Sequence, residues 1–430
     1  MRKYLPFIIV EIYLLFTIFL FFCGPIDFSI HNFQLFIGLL FLYHLSFATG
    51  YLVFSSWQAS GPPLAPRFSE FKYYFSLFFA VMGTLLTYHN LTLGSSLVPG
   101  EILNNVIRGV NAPGEAYTAR MEELDGGKVF TARWLNVSSI FFMFMKYLFI
   151  FYFIYYWRDL GFVKRLISIS YCFVFLSPGL AAGINSVNFH FFIYVSAAVL
   201  ILLYVNGYSG FRFVVIFCSV LALIPIGFFG YLMSQRGGGF DYFMMLSPYG
   251  DIGVSMDTPS LDSFFGFYIY AFVWLVSYLV QGYYGFSLAL GEAWSWTYGF
   301  GGSKFLQNNF YSLTGIDISS LTFQSKITHV WDESVQWHSF YSQVANDVGF
   351  VGVAFVMFFL GGLLARVWMS VIYRNSFYGA AFLPILAILF IFIPANNQVF
   401  GSIDTVSYFV AVMFLWVFEG KIKKVKSGIF

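Results

Sequence analysis

The sequence predicts an all-α polytopic membrane protein with about twelve transmembrane helices (ten to twelve), folded as one integral membrane domain over 1–430. Only 10% of the 430 residues are charged, whereas soluble proteins carry about 25%. The apolar share is 59%, phenylalanine alone occupies 59 positions, and the mean hydropathy is +0.76. So few charges cannot cover a water-facing surface, so most of the chain must contact lipid or other helices.

Apolar runs about as long as the roughly 20 residues that a transmembrane helix needs recur along the chain. Ten of them are clear, at 5–23, 33–54, 73–91, 138–157, 166–184, 187–205, 213–233, 349–365, 377–393 and 405–418. A weaker pair lies at 264–280 and 283–299, with Gly282 between its halves. We expect this pair to cross twice. The alternatives are that it does not cross, which leaves ten helices, or that it enters and leaves on one side as a hairpin.

The positions of the charges predict how the chain is oriented. If every run crosses and the amino terminus is cytoplasmic, the inner side holds fourteen basic and three acidic residues, and the outer side holds seven basic and sixteen acidic residues. Cytoplasmic segments are enriched in lysine and arginine, so both termini are expected in the cytoplasm. An odd number of crossings within 264–299 would violate this distribution. Glu11 and Lys146 lie within apolar runs, where a mutual ion pair or contact with a lipid diphosphate would account for them.

Polar residues concentrate in three long segments on the predicted outer, periplasmic side, at about 92–137, 234–263 and 300–348. Short turns would be enough to connect helices, so segments of this length are where function is expected. The predicted inner connections are too short for a nucleotide-binding fold, and neither a P-loop nor a dinucleotide-binding glycine motif occurs. ATP-driven transport and cytoplasmic nucleotide-sugar chemistry are thereby disfavoured.

The part of the chain from 281 to 350 interleaves aromatic residues with Asn, Gln, Asp and His. Flat aromatic faces suit the C–H groups of a pyranose, and polar side chains suit its hydroxyls, so the pattern is typical of a sugar-binding surface. Trp and Tyr also collect at the headgroup level of any membrane protein. An interfacial aromatic belt is therefore the alternative.

Several segments of this region carry a resemblance to a known family. They are Gln-Gly-Tyr-Tyr-Gly-Phe-Ser-Leu-Ala-Leu (281–290), Trp-Thr-Tyr-Gly-Phe-Gly-Gly-Ser (296–303), Trp-His-Ser-Phe-Tyr (337–341), Ala-Asn-Asp-Val-Gly-Phe (345–350) and Pro-Ala-Asn-Asn-Gln (394–398). Over roughly 280–400 the chain resembles the Wzy-type O-antigen polymerases, which join oligosaccharide repeat units in bacterial inner membranes. The spaced arginine–glycine pattern of that family does not occur after Arg236 or Lys326.

The resemblance implies glycosyl transfer between two undecaprenyl-diphosphate-linked glycans on the periplasmic face of the inner membrane. The growing glycan would leave its lipid diphosphate and join the non-reducing end of a new repeat unit. A cation must then stabilise the charge on the departing diphosphate, and a positioned base should take the proton of the attacking hydroxyl. Such an enzyme of lipopolysaccharide biosynthesis would have membrane lipids and a chain-length regulator protein as partners, and no nucleic acid.

Arg236 is the preferred cation, since it follows the run 213–233 and its guanidinium could hold phosphate oxygens beside the glycines at 237–239. An arginine there could equally extend to lipid headgroups. Lys326 is the second candidate, with a solvated loop lysine as the alternative. The first outer segment also contains five acidic residues, so its basic residues are expected to form solvated ion pairs. The competing arginines of that segment are Arg108, Arg120 and Arg133.

Candidate bases and sugar-binding residues follow in the same region. His338 titrates near neutrality, although a lone histidine among aromatic residues can be structural. Asp347 is the second candidate base and could instead stabilise the end of the following helix. The expected sugar platform consists of Trp331, Trp337 and Tyr341. The residues expected to meet sugar hydroxyls are Asn396, Asn397 and Gln398, with helix capping and helix-to-helix hydrogen bonding as the alternative.

No Asp-x-Asp triplet occurs, and the nearest variant is Glu123-Leu-Asp125. Neither a metal nor another cofactor is therefore expected. Two other functions stay open. An O-antigen ligase would use the same lipid-linked donor but deliver the glycan to a lipid A core. A flippase or secondary transporter would concentrate polar residues at mid-membrane, often in repeated halves, whereas here they lie in the outer segments.

Overall fold

The computed structural model describes residues 2–56, 64, 67–125, 142–221, 223–236, 239–240, 252–333 and 335–427. Within these ranges, the side chains of 124–125, 185–187, 217–218, 220–221, 236 and 420–427 are not described. Most of the described residues are helical, in agreement with the predicted all-α class.

The helices up to the middle of the chain are α1 (Leu5–Cys23), α2 (Phe33–Ser55), α3 (Glu70–Leu91), α4 (Pro99–Asn111), α5 (Pro113–Asp125), α6 (Met145–Tyr155), α7 (Phe162–Ala181), α8 (Asn185–Val205), α9 (Phe211–Leu221) and α10 (Leu223–Arg236). Those that follow are α11 (Phe264–Ala289), α12 (Lys304–Thr314), α13 (Phe323–Lys326), α14 (Phe340–Arg374), α15 (Phe377–Phe392) and α16 (Ile403–Ser427). Short 3-10 helices cover Arg2–Tyr4 and Ser319–Leu321. Two strands, β1 (Ile26–Phe28) and β2 (Ile252–Val254), pair antiparallel with Ile26 opposite Val254.

Six of the described helical stretches are long and apolar enough to cross a membrane. They are Arg2–Cys23, Phe33–Ser55, Phe162–Ala181, Asn188–Val205, Phe264–Ala289 and Phe340–Arg374. Shorter apolar helices cover Met145–Tyr155, Leu223–Gln235 and Phe377–Phe392. Large apolar side chains on several of the helices are exposed, among them Phe41 at 68%, Phe173 at 71% and Phe355 at 67%. Apolar surface of this extent is suited to lipid, so the helices support a polytopic membrane protein.

Serine side chains determine where three of the helices begin. Ser69, Ser263 and Ser303 precede α3, α11 and α12, and each hydroxyl accepts a hydrogen bond from the backbone amide three residues later. This contact satisfies one of the amides that the first turn of a helix leaves free. Capping by Ser69 extends α3 back to Glu70, ahead of the apolar run predicted from residue 73.

The chain forms two compact units, of which the first contains 1–62, 226–374 and 386–402. Within it, α2 and α14 pack closely through glycines. A Cβ atom added to Gly50 would lie 1.9 Å from the carbonyl oxygen of Phe358, and one added to Gly361 would lie 2.1 Å from that of Phe47. No side chain fits at either position, which is typical of helices that approach each other through small residues in a membrane.

A single helix, α11, takes the place of the predicted pair at 264–280 and 283–299. Gly282 lies inside this helix, and an added Cβ atom would lie 2.3 Å from the carbonyl oxygen of Pro394. The glycine therefore permits close packing and does not form a turn. The chain then continues without a helix from 290 to 303. The prediction of two helices over 264–299 was therefore wrong, because one continuous helix covers 264–289 and the next begins only at Lys304.

Helix α14 begins earlier than the apolar run predicted at 349–365 and is interrupted within that run. Gly349 has φ 69° and ψ 164°, so the helical segments 340–348 and 350–374 are separated at this residue. A positive φ of this size with extended ψ is accessible almost only to glycine. The segment 340–348 carries several of the predicted site residues.

The second unit contains 63–225, 375–385 and 403–430. Tyrosine hydroxyls join its helices: Tyr73 donates to the carbonyl oxygen of Lys164 at 2.8 Å, and Tyr408 donates to that of Ala381 at 2.7 Å. The hydroxyls of Tyr194 and Tyr408 lie 2.5 Å apart. Polar groups in apolar surroundings must be satisfied within the protein, and these contacts meet that requirement.

Candidate functional site

Most of the predicted site residues lie in the first unit, in three connecting segments and the start of α14. We name the segments 291–303, 319–339 and 394–402 the loop cluster. The amide of Ser339 donates to the carbonyl oxygen of Gly282 at 3.2 Å, and the amide of Phe340 donates to that of Ile393 at 2.9 Å. These bonds fix the start of α14 against α11 and against the turn that follows α15.

Asp347 holds the segment 297–302 in place. Its Oδ1 accepts hydrogen bonds from the Thr297 hydroxyl at 2.5 Å and from the Gly301 amide at 3.0 Å, while Oδ2 accepts one from the Gly302 amide at 2.9 Å. Both oxygens of this carboxylate are therefore engaged by donors of the segment 297–302. The geometry supports a structural role for Asp347 and gives no support to a role as general base.

Asn346 connects two parts of the loop cluster. Its Nδ2 donates to the carbonyl oxygen of Gly301 at 2.9 Å and to Oε1 of Gln324 at 2.7 Å, and its Oδ1 accepts from the Phe323 amide at 2.8 Å. The side chain is 1% exposed. Asn346 therefore joins α13 to the glycine-rich segment 299–302; it lies in the family-like segment 345–350 but was not among the candidate site residues.

The residues expected to meet sugar hydroxyls form hydrogen bonds within the protein. Asn396 Oδ1 accepts from Nε2 of Gln343 at 2.8 Å, and Asn397 Nδ2 donates to the carbonyl oxygen of Gly302 at 2.7 Å. Asn397 is 5% exposed. Gln398 lies half-buried in the same turn. These contacts support the alternative in which the turn is held by its own amide side chains.

His338 is buried between the loop cluster and α11. It is 1% exposed, and a Cβ atom added to Gly285 would lie 3.1 Å from its Nδ1. Burial lowers the pKa of His338 to about 3, and the neighbouring Trp331 backbone opposes this shift. Within the described part of the chain, neither ring nitrogen has a hydrogen-bond partner. A ring with so low a pKa and no access to solvent is unsuited to accept a proton from a substrate.

Two members of the expected sugar platform are core residues. Trp331 and Tyr341 are both 0% exposed. The Trp331 ring meets the Tyr284 ring edge-on at 4.9 Å, and the Tyr341 ring lies 4.8 Å from that of Tyr43. Trp337 is half-buried, with its ring edge-on to Tyr278 at 4.8 Å. The prediction of an exposed platform was therefore wrong for Trp331, which packs beside Gly285 of α11, and for Tyr341, which packs against Tyr43.

An exposed aromatic group lies elsewhere in the loop cluster. Trp294, Trp296 and Tyr298 are 51%, 57% and 56% exposed. The ring centroids of Trp296 and Tyr298 lie 4.8 Å apart. Tyr298 and Gly299 both have positive φ, 58° and 85°, so a tight turn presents these rings. The glycine-rich sequence after Tyr298 was the available signal, since such a run predicts a turn and not a buried helix.

Lys326 is a cation that contacts the segment carrying these rings. Its Nζ donates to the carbonyl oxygen of Ala293 at 2.5 Å and to the Ser295 hydroxyl at 2.8 Å, in the segment that carries the exposed aromatic group. The side chain is half-buried and lies over the Phe323 ring, 5.7 Å from its centroid. No carboxylate among the described residues pairs with it, in contrast to Lys304, which pairs with Glu333. An ammonium group held by neutral oxygens keeps its charge available to an anion.

The preferred cation, Arg236, is the last residue of α10, and its side chain lies outside the described part of the chain. Arg133 also lies outside it. Their predicted roles therefore stay predictions. Arg108 and Arg120 are described and belong to the second unit.

The two charges within apolar runs have different partners from the expected one. Lys146 is 1% exposed and forms an ion pair with Asp404, and its Nζ also donates to the Thr87 hydroxyl at 2.8 Å. Glu11 Oε2 lies 2.7 Å from Nδ1 of His44. The expected pair between Lys146 and Glu11 was therefore wrong, although each charge does have a polar partner, as its depth requires.

Across the ranges that the structure describes, no group of three His, Cys, Asp or Glu side chains is placed to hold a metal ion. Comparison with protein-family models, with curated proteins and with solved structures finds no match to this chain. The feature of the site that bears on its chemistry is a lysine held by neutral oxygens, in contact with the segment that exposes three aromatic rings.

Proposed function

We propose that this chain is a membrane-embedded glycosyltransferase that polymerises oligosaccharide repeat units carried on undecaprenyl diphosphate. In this proposal both termini are cytoplasmic, the protein lies in a bacterial inner membrane, and the loop cluster faces the periplasm. The observation that carries the proposal is the contact of Lys326 with Ala293 and Ser295, beside the exposed Trp296 and Tyr298. The resemblance of 281–398 to O-antigen polymerases agrees with it.

The two features of this surface match the two parts of the substrate. The aromatic faces of Trp296 and Tyr298 suit the apolar face of a sugar ring. The Lys326 ammonium supplies positive charge for a diphosphate, on which negative charge grows as it leaves. A lysine stabilises the diphosphate as a point charge and does not need the planar, paired N–H donors of an arginine.

The reaction transfers a glycan between two lipid carriers. A hydroxyl at the non-reducing end of the incoming unit attacks the anomeric carbon of the growing chain. The bond from that carbon to the diphosphate oxygen breaks, and the diphosphate leaves with the bonding electrons. The hydroxyl proton passes to solvent, because His338 is buried and both oxygens of Asp347 are already engaged.

The test is polymerisation by the purified full-length chain in lipid nanodiscs, with one defined lipid-diphosphate-linked repeat unit as the only glycan and product size as the measurement. The wild-type protein is expected to produce a ladder of lengthened lipid-linked glycans. Lys326→Ala should lower the rate about 10- to 100-fold, since a hydrogen bond to a charged group contributes roughly 1.5–3 kcal/mol. Lys304→Ala, which removes a neighbouring lysine already paired with Glu333, is the matched control and should retain most of the activity.

The same assay separates the alternatives. Products formed only when a lipid A core acceptor is added would indicate a ligase. Movement of the labelled lipid across the bilayer without any lengthening would indicate a transporter. A full ladder from Lys326→Ala would exclude this lysine from the reaction.

A further inference from the structure

The second unit contains a cavity of about 130 Å³ where the last turns of α3 and α7 meet α4 and α5. Polar groups line much of it. They include Thr92, Ser95, Asn105, Arg108, Arg120 and Glu123. None of its lining residues belongs to the loop cluster, and the proposed transfer reaction does not use them.

Two glycines build the cavity by letting α4 and α5 approach the end of α7. A Cβ atom added to Gly109 would lie 2.0 Å from the carbonyl oxygen of Leu180. Gly183 has φ 62°, and a Cβ atom added there would lie 2.6 Å from the carbonyl oxygen of Pro113. Only glycine fits these contacts, so the position of both helices over α7 is built into the sequence.

Arg120 points its charge into this space from α5. Its Nε donates to the carbonyl oxygen of Leu91 at 2.9 Å, which orients the guanidinium. Burial lowers the pKa of Arg120, but an arginine stays charged at any physiological pH. In the described part of this unit, its terminal nitrogens have no carboxylate partner. A half-buried cation that forms no ion pair is stabilised by a bound anion.

Arg108 supplies a second guanidinium from α4. Its side chain is exposed and forms no ion pair among the residues that the structure describes. Glu123 also lines the cavity and has interactions of its own. Because two arginines and one glutamate line the cavity, its lining carries an excess of positive charge. Asn105 donates to the Tyr88 hydroxyl at 2.9 Å, which fixes the wall between α4 and α3.

The outer face of α4 is apolar and uncovered. Leu103, Ile107 and Val110 are 59%, 49% and 39% exposed, at the spacing that places them on one side of a helix. A helix with such a face next to charged residues belongs at the boundary between headgroups and acyl chains. The two arginines then lie at the depth of lipid phosphates.

We propose that this cavity binds the phosphate groups of a membrane lipid, with Arg108 and Arg120 as the phosphate ligands and the apolar face of α4 against the acyl or prenyl chain. Guanidinium groups bind phosphate oxygens through paired donors, and two of them in one cavity can hold a diphosphate or a phosphodiester. The site does not depend on glycosyl transfer and would exist in a protein of any function.

The test is binding of farnesyl diphosphate to the full-length chain in nanodiscs of neutral lipid, measured by isothermal titration calorimetry. Inorganic diphosphate and farnesol are the two comparison ligands. Farnesyl diphosphate should bind at least about tenfold more tightly than either, because only it presents both phosphate and chain. Arg108→Gln should weaken its binding about tenfold, and the double variant with Arg120→Gln should weaken it further.

Control variants separate loss of the site from loss of the fold. Arg212→Gln removes an exposed arginine at the start of α9 in the same unit and should leave binding unchanged. Arg108→Lys should retain more affinity than Arg108→Gln because it keeps the charge. Arg108 is exposed, so its replacement should not change the helical content measured by circular dichroism.

Two results would overturn the proposal. Affinity of the double variant within twofold of wild type would exclude the arginines as phosphate ligands. Inorganic diphosphate binding as tightly as farnesyl diphosphate would identify a site for free phosphate and refute the lipid assignment.

Discussion

The ion pair between Lys146 and Asp404 lets a stability effect be worked out from the structure. The ammonium group of Lys146 contacts Asp404 Oδ2 and lies 2.8 Å from the Thr87 hydroxyl, while the same hydroxyl donates to the carboxylate at 3.2 Å. The Lys146 side chain is 1% exposed and that of Asp404 is 14% exposed. Both charges are therefore largely shielded from water, and each depends on the other.

Asp404→Asn should destabilise the protein by about 3–5 kcal/mol, because it leaves a buried ammonium group without a counter-charge. The double variant Lys146→Met/Asp404→Leu removes both charges and keeps similar side-chain volume. It should be within about 1–2 kcal/mol of wild type, or more stable, because neither side chain then pays for desolvation. The effects of the single variants Lys146→Met and Asp404→Leu should not add, and the cycle that they form with the double variant gives the coupling free energy of the pair.

The measurement is the free energy of unfolding from SDS titration in mixed micelles, with helical content followed by circular dichroism. Lys164→Gln is the matched control, since Lys164 pairs with the well-exposed Glu70 and the loss of such a surface pair should change the free energy of unfolding little. If Asp404→Asn costs no more than Lys164→Gln, the pair is not buried in the folded protein. If the double variant costs the sum of the two single variants, the charges do not interact.

Two further predictions concern the loop cluster. Asp347→Ala removes three hydrogen bonds to 297–302 and should destabilise the folded protein by about 2–4 kcal/mol, at roughly 1 kcal/mol for each bond. Faster proteolysis within 297–302 than in the exposed-loop control variant Asp317→Asn would support this prediction. Equal rates of proteolysis would contradict it. The second prediction concerns His338, whose pKa is lowered to about 3 in the folded protein. Between pH 6.5 and 3 the unfolded chain therefore binds a proton that the folded chain does not. The free energy of unfolding should fall by about 1 kcal/mol for each pH unit as the pH drops through this range. His338→Phe should reduce that slope in pH-dependent SDS titration, whereas His329→Phe at an exposed position should not, and equal slopes in all three proteins would refute the burial of His338.

The sequence predicted the helices with long, uniformly apolar runs well, because hydropathy alone determines them. The runs at 5–23 and 33–54 correspond to α1 and α2 within a residue. It failed at 264–299, where a glycine was taken for a turn. Gly282 is instead needed for contact with Pro394, a residue far along the chain. Only the fold reveals that partner, since a turn glycine and a packing glycine look alike in one sequence.

The candidate site could be predicted by region but not by residue. The interleaving of aromatic and polar residues between 281 and 350 marked the segments that form the loop cluster, and Lys326 was among the candidates. Whether an aromatic ring is buried or exposed depends on neighbours from other segments. Trp331 lies beside α11 and is buried, whereas Trp296 lies on a turn and is exposed. Both tryptophans lie in sequence that interleaves aromatic and polar residues, so the sequence around them does not tell which one is buried.

The partners of charged residues were the least predictable feature. Asp404 lies just before an apolar run and could have faced solvent. It pairs instead with Lys146, which is 258 residues away in the chain. Likewise, the acidic residues around Arg108 and Arg120 suggested ion pairs of little consequence. The fold places the two arginines around one cavity instead. Charge partners follow from helix packing, which no single helix encodes.

The internal hydrogen bonding of the loop cluster bears directly on how it would bind a substrate. Asn346 joins α13, which ends at Lys326, to the turn that follows Trp296 and Tyr298. The cation and the aromatic rings are thus held by the same buried side chain, and little ordering is left to occur on binding. Fixing a site before the ligand arrives removes an entropic cost that would otherwise weaken binding. In the proposed polymerase, Asn397, which was first expected to meet a sugar hydroxyl, would instead contribute by holding the same turn through the carbonyl oxygen of Gly302.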